Sequence, residues 1–257
     1  MKLDYKEALT DLTVRIEANR KYSSFQVEDV LHQLLQQQSL GRILDVGCGS
    51  GNYSELFAAQ CALYLGLDRN AQLLSEARDR CRSSGLHNSW FMRFDMNQPF
   101  PFMRDSFDLV FFGYSAYYTD DATLLVRRSR DVLRTGGRLV MIGPADGNAL
   151  ELDAISRMLF SLPSSQEKVQ RMQRLETEFV PVIQREFGAC DVAQKDFSLL
   201  FPSVEEYARY YLATPQYAEL ATSHGHRTVD AVGSAIDRRG GLRLTKKSLV
   251  VVGVKRQ

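Results

Sequence analysis

Residues 42–51 read Arg-Ile-Leu-Asp-Val-Gly-Cys-Gly-Ser-Gly, an apolar run that ends on an acid and opens into glycine at alternate positions. Such a chain has to turn sharply out of a strand, because Gly47, Gly49 and Gly51 lack the Cβ that would bar the turn and keep a ligand from the backbone amides. The spacing is not Gly-x-Gly-x-x-Gly, since Asn52 stands where the third glycine of that fingerprint belongs. A pyrophosphate cradle is therefore disfavoured. Asp45 at the strand end suits a ligand with an ammonium group better than one with two phosphates, and a nucleoside-like molecule is the expected occupant.

The flanking pattern alternates between strand and helix. Val27, Val30, Leu31, Leu34 and Leu35 form the stripe of a helix packed on one side. Strands are expected at 43–46, 63–67, 90–94, 108–112 and 138–142. Helices are expected at 54–59, from the Asn70 N-cap to about Ser83, and from about Asp121 to Arg134. This alternation predicts a parallel sheet covered on both faces, whose ligands bind beyond the carboxyl ends of the strands.

After Pro144 the signals become helical, with capping boxes at Ser164 and Ser203. A strand near Val192 to Leu200 and a closing strand at Ser248 to Val254 are expected to pair at the sheet edge. Residues 145–187 and 203–240 are candidates for a lid.

Asp45, Asp68 and Asp95 end three successive predicted strands, so all three emerge at the edge that carries the glycine loop. Asp68 follows the loop at close to the roughly 20-residue interval at which an acid meets ribose hydroxyls in nucleotide-binding α/β folds. Each acid alone could be an ordinary turn former. Their register with the glycines is what points to a shared site.

The run from Asp45 to Gly51, the ending Gly66-Leu67-Asp68, the pair Asp95-Met96 and the segment from Asp131 to Leu139 with Gly136-Gly137 together resemble a class I S-adenosylmethionine-dependent methyltransferase. The resemblance is strongest to the small-molecule group, which includes ubiquinone-biosynthesis-like (type 11) enzymes, and it spans about residues 26–143. It implies a Rossmann-like, doubly wound α/β sheet of seven strands in the order 3-2-1-4-5-7-6, with strand 7 antiparallel and helical lid insertions. The chain is then one methyltransferase domain, 1–257. Its core is about 26–143 with 190–202 and 242–257, and its lid elements are about 1–25, 145–187 and 203–240.

The resemblance further implies S-adenosyl-L-methionine as cofactor, with Asp45, Gly47, Cys48, Gly49 and Gly51 around the methionine moiety. Asp68, with Arg69 beside it, would meet the ribose, and Asp95 with Met96 the adenine. Tyr114 is placed nearest the cofactor, and Tyr22, Tyr117 and Tyr118 are candidates for the acceptor pocket. After the fourth strand the chain has Gly113-Tyr114-Ser115-Ala116 and lacks the Asn/Asp-Pro-Pro-Tyr pattern of amino methyltransferases acting on nucleic acid bases.

Methyl transfer from a sulfonium by in-line displacement needs alignment in a dry cavity more than it needs a protein nucleophile. If the acceptor is a hydroxyl, His224 or His226 is the base candidate. Cys48, Cys61, Cys81 and Cys190 form no Cys-x-x-Cys pair and have no histidine at metal-ligand spacing, so no metal is expected. A net charge of +1 offers no general attraction to nucleic acid or an anionic membrane, so the expected partner is a small molecule. The first residues lack the apolar core of a signal peptide and no segment approaches a membrane span, which predicts a cytoplasmic protein. Two other readings share these features: a non-catalytic S-adenosylmethionine-binding module, and a nicotinamide-dependent oxidoreductase on the same fold.

Overall fold

A computed structural model describes residues 9–36, 40–160, 166–223 and 228–256. Seven strands form one sheet: β1 (Leu40–Val46), β2 (Cys61–Asp68), β3 (Ser89–Arg93), β4 (Phe107–Gly113), β5 (Leu133–Pro144), β6 (Cys190–Leu200) and β7 (Arg243–Val254). Their order is β3-β2-β1-β4-β5-β7-β6. β1 to β5 pair in parallel, while β7 runs antiparallel to both β5 and β6. The strand order reverses between β1 and β4, which puts the crevice of a wound sheet directly above the glycine loop.

The helices in chain order are α1 (Leu9–Tyr22), α2 (Val27–Gln36), α3 (Ser54–Ala58), α4 (Ala71–Ser83), α5 (Ala122–Val132), α6 (Leu150–Phe160) and α7 (Gln166–Arg174). They continue with α8 (Val180–Phe187), α9 (Val204–Leu212), α10 (Pro215–Ser223) and α11 (Val229–Arg239). Asn70 caps α4 as its side chain predicts, with Oδ1 accepting from the amides of Gln72 at 2.9 Å and Leu73 at 3.3 Å. Ser203 caps α9 by accepting from the Glu206 amide at 3.2 Å. The second arm of that capping box is not made, since the Glu206 carboxylate instead receives the Tyr22 hydroxyl at 3.4 Å. Ser164, start of the other expected box, lies outside the described residues.

β4 shows why the strand run Phe-Asp-Leu-Val-Phe-Phe carries no polar alternation. Leu109 and Phe111 pack with α2 and α3 on one face, against Leu31, Leu35 and Phe57. Val110 and Phe112 pack on the other with α5, α8 and the π-helical turn Leu175–Phe179 that precedes α8, against Leu125, Phe179 and Ile183. A parallel strand buried on both faces has no solvent side to advertise. At roughly 25 cal/mol per Å² of apolar surface, each of these buried side chains contributes about 1.5–3 kcal/mol.

Two boundaries differ from the sequence expectation. α5 stops at Val132, two residues before Arg134, because Leu133 is extended (ψ 136°), fully buried and paired with Phe107 as the start of β5. The expected lid segment 145–187 divides. Its second part, with Leu175, Phe179, Val182, Ile183 and Phe187, belongs to the sheet core, while Leu152 and Ile155 of α6 join a separate cluster. That cluster gathers α1, α6, α9, α10 and α11 around Phe197, Leu199 and Leu244 at the far ends of β6 and β7, forming a roof over the sheet edge. Among the described residues no helix is long and apolar enough to cross a membrane.

Candidate functional site

The chain leaves β1 at Val46 and folds back on itself. The amides of Gly47 and Cys48 both donate to the Leu67 carbonyl, at 2.7 and 3.0 Å, which ties the turn to the end of β2. Gly47 has φ +77°, and a Cβ there would run into the Ser115 side chain, itself held by a 2.6 Å hydrogen bond from its hydroxyl to the Val46 carbonyl. Only glycine satisfies both the backbone sign and the space. Gly49 faces an open cavity.

Gly51 does not. It lies behind the loop, where a Cβ would strike the Ser54 hydroxyl and stand 2.8 Å from Ala77 Cβ of α4. Gly51 therefore serves close packing of the loop on the helices rather than approach to a ligand, which corrects its expected place beside the methionine moiety.

The Asp68 carboxylate joins this turn to the next one. Its Oδ2 accepts from the Gly49 amide at 2.9 Å and its Oδ1 from the Asn70 amide at 2.8 Å. Burial raises its pKa above the ordinary carboxylate value, and the two amides oppose that rise. Asp68 lines the cavity, and a carboxylate oxygen can accept more than one hydrogen bond.

Asp45 is more deeply enclosed, at 2% exposure, with the Tyr64 hydroxyl donating to it at 2.8 Å. Burial pushes its carboxyl up to about 7, the Tyr64 hydrogen bond works against this, and the nearby Asp68 charge adds to it. The Cys48 thiol is raised well above its usual value by burial and then by Asp45 and Asp68, so it stays protonated.

These residues line one wall of a cavity of about 340 Å³. Asp45, Gly47, Cys48, Gly49, Asp68, Arg69, Asp95, Met96 and Tyr114 all reach it, as do Tyr117 and Tyr118 from the turn after β4. Asp95 lies two residues beyond β3 in an exposed turn, where its Oδ1 accepts from the Asn97 amide at 3.0 Å. Tyr114 adopts φ +57°, and its hydroxyl meets Ser248 Oγ at 2.7 Å. Burial pushes that hydroxyl up to about 12. Backbone strain at a bulky residue fits a position held by its surroundings for a purpose.

Tyr22 is not brought to the cavity. Its ring packs on Phe201 at 5.6 Å in the roof cluster and its hydroxyl turns to Glu206, so its bulk is spent on holding α1 against α9. His224 and His226 lie outside the described residues.

Several lining residues carry no sequence signal. Ser115 buttresses Gly47, and Arg20 of α1 donates to Asn52 Oδ1 at 3.0 Å, latching the first helix over the loop. Arg15 of α1, Tyr210 of α9 and Lys246 of β7 also line the cavity. Among the described residues no three His, Cys, Asp or Glu side chains gather as a metal site would require.

The sheet order, the reversed last strand and a glycine loop followed by acids at the ends of successive strands define a Rossmann-like, doubly wound domain. Among known proteins, residues 44–141 match the family described as methyltransferase domain. Aklanonic acid methyltransferase DauC of Streptomyces sp. (strain C5) is 35% identical over 107 residues, 40% of this chain and 48% of that protein. The chain spans about half the length of the curated relatives it matches. Among solved structures, YcgJ of Bacillus subtilis superposes with a TM-score of 0.61 at 17% identity, covering 89% of this chain and 99% of that one. Phosphoethanolamine N-methyltransferase 2 of Haemonchus contortus, solved with phosphomonomethylethanolamine and S-adenosylhomocysteine, gives 0.58 at 18%, covering 90% and 52%.

Proposed function

We propose that the protein transfers a methyl group from S-adenosyl-L-methionine to a small-molecule acceptor by in-line displacement. The observation that carries this reading is the single cavity wall formed by the Gly47–Gly49 turn, Asp45, Asp68 and Asp95. The residues fit the cofactor chemically. The Gly47–Gly49 turn, at φ +77° and +56°, lays bare backbone along the cavity, Asp68 has acceptor capacity for vicinal hydroxyls, and Asp45 offers a buried carboxyl to an ammonium group. When bound, the cofactor supplies an electrophilic methyl group on a sulfonium.

The chain's own residues then hold, orient and exclude water. Asp95 and Met96 flank the adenine end, Tyr114 stands between the cofactor wall and the acceptor wall, and α1 covers the loop through Arg20 and Asn52. A covered, low-dielectric cavity favours a displacement that disperses charge. The relatives support a small organic acceptor, DauC by its name and the nematode enzyme by the ligand it was solved with.

Incubation with methyl-labelled cofactor and a panel of small acceptors tests the activity. Label is expected in an organic product. Tight cofactor binding with no transfer to any acceptor would instead support a non-catalytic binding module, and tight NADH binding alone would support an oxidoreductase.

A further inference from the structure

Where α9 and β7 line the cavity, aromatic rings and a cation meet. Lys246 of β7 donates to the Tyr210 hydroxyl at 3.3 Å and holds its ammonium 5.9 Å from the centre of that ring. Two residues further along β7, Ser248 meets the Tyr114 hydroxyl. Alternate residues of a strand share one face at a repeat of about 7 Å. Lys246 and Ser248 therefore set up two neighbouring polar stations, Tyr114 at the β4 end beside β1 and Tyr210 one step along the strand.

The electrostatics at the two stations differ. Tyr210 is only 4% exposed, and burial raises its hydroxyl, yet the Lys246 and Arg15 charges and the hydrogen bonds from Lys246 and Asn19 outweigh that and leave it below the usual tyrosine value. A buried phenol shifted in this direction marks a place whose field favours negative charge. The carboxylates among the described lining residues sit elsewhere. Asp45, Asp68 and Asp95 stand on the loop wall, and the Glu28 charge acts on Tyr53 and Tyr114. Among the described residues the Lys246 ammonium makes its one hydrogen bond to Tyr210 and forms no ion pair.

We infer that this station binds an organic acid, a molecule of aromatic-ring size whose carboxylate pairs with Lys246 and is hydrogen-bonded by Tyr210. Phe25, Phe197 and Tyr117 supply the apolar walls for its body. Calling this acid the methyl acceptor rests on the proposed function, whereas its binding does not. A carboxylate also arrives with its oxygen lone pairs free, so no base has to remove a proton.

Benzoate is a suitable probe and benzamide its uncharged counterpart. Each is titrated calorimetrically into the full chain, with and without saturating S-adenosylhomocysteine. Benzoate is expected to bind at least about tenfold more tightly than benzamide, the scale of one charge-assisted hydrogen bond. Lys246→Met should abolish that preference, Lys246→Arg should restore most of it, and S-adenosylhomocysteine affinity should stay within about twofold in both, as expected for a side chain that contacts Tyr210 and none of the loop residues. Equal affinity for the two probes in the wild type, no benzoate binding, or a preference that survives Lys246→Met would each overturn the inference. S-adenosylhomocysteine binding without a benzoate preference sinks this inference alone. Benzoate binding without any S-adenosylhomocysteine binding sinks the methyl-transfer reading instead.

Discussion

Asp45 gives the account its most quantitative handle. Its folded pKa of about 7 lies above the ordinary carboxylate value of 3.8, so between these two pH values the folded chain holds a proton that the unfolded chain has released. The stability linked to that proton is complete below the unfolded pKa and disappears as pH rises through the folded one, a loss on the order of 4 kcal/mol. An ammonium group beside the carboxylate reverses the preference and ionises it, so ligand binding should release a proton. The ionised fraction rises from a few per cent near pH 5.5 to about half at pH 7, which predicts affinity for S-adenosylhomocysteine tightening by about fifteenfold over that interval. Calorimetry at both pH values, repeated in buffers of different ionisation enthalpy, reads the affinity and the proton release together. Asp68 adds a contribution of the same sign, and Asp45→Asn isolates the Asp45 share by flattening the profile. A pH-independent affinity in the wild type, or an unchanged profile in Asp45→Asn, would refute the reasoning.

Other outcomes follow from individual contacts. Tyr64→Phe removes the hydroxyl that stabilises ionised Asp45, so the affinity profile should move to higher pH, and a shift in the other direction would contradict that role. Gly51→Ala places a methyl against Ser54 and Ala77 at φ +77°, and thermal melts should show a loss of about 1–3 kcal/mol. Because Gly51 stands off the cavity, the surviving folded fraction should keep its cofactor affinity. Asn70→Ala removes the α4 cap, with an expected cost of about 1 kcal/mol in a denaturant titration.

The sheet was readable because a doubly wound fold writes itself locally: each strand is an apolar run, each turn an acid or glycine, each helix a stripe. Boundaries were less so. Leu133 reads as helix in its own neighbourhood, and only its pairing with Phe107 makes it strand. The strand-end residues that line the cavity were legible for the same reason as the strands, since they lie in consecutive turns. The lining from α1, α9 and β7 was not. Arg15, Tyr210 and Lys246 come from α1, α9 and β7 and meet only after the roof has packed. Gly51 and Tyr22 show a related limit: spacing reveals that a glycine or an aromatic ring stands near a site, and the packing of Ala77 or Phe201 decides which way it faces.

The central claim is that the wall of Gly47, Gly49, Asp45 and Asp68 is shaped for an adenosyl sulfonium or its demethylated product. Titration of S-adenosylhomocysteine into the wild type and Asp68→Ala tests it most directly. The account predicts micromolar binding that weakens at least about tenfold when the ribose-facing carboxylate is removed. Unchanged affinity in Asp68→Ala, or no binding of S-adenosylhomocysteine beside tight binding of NADH, would contradict it.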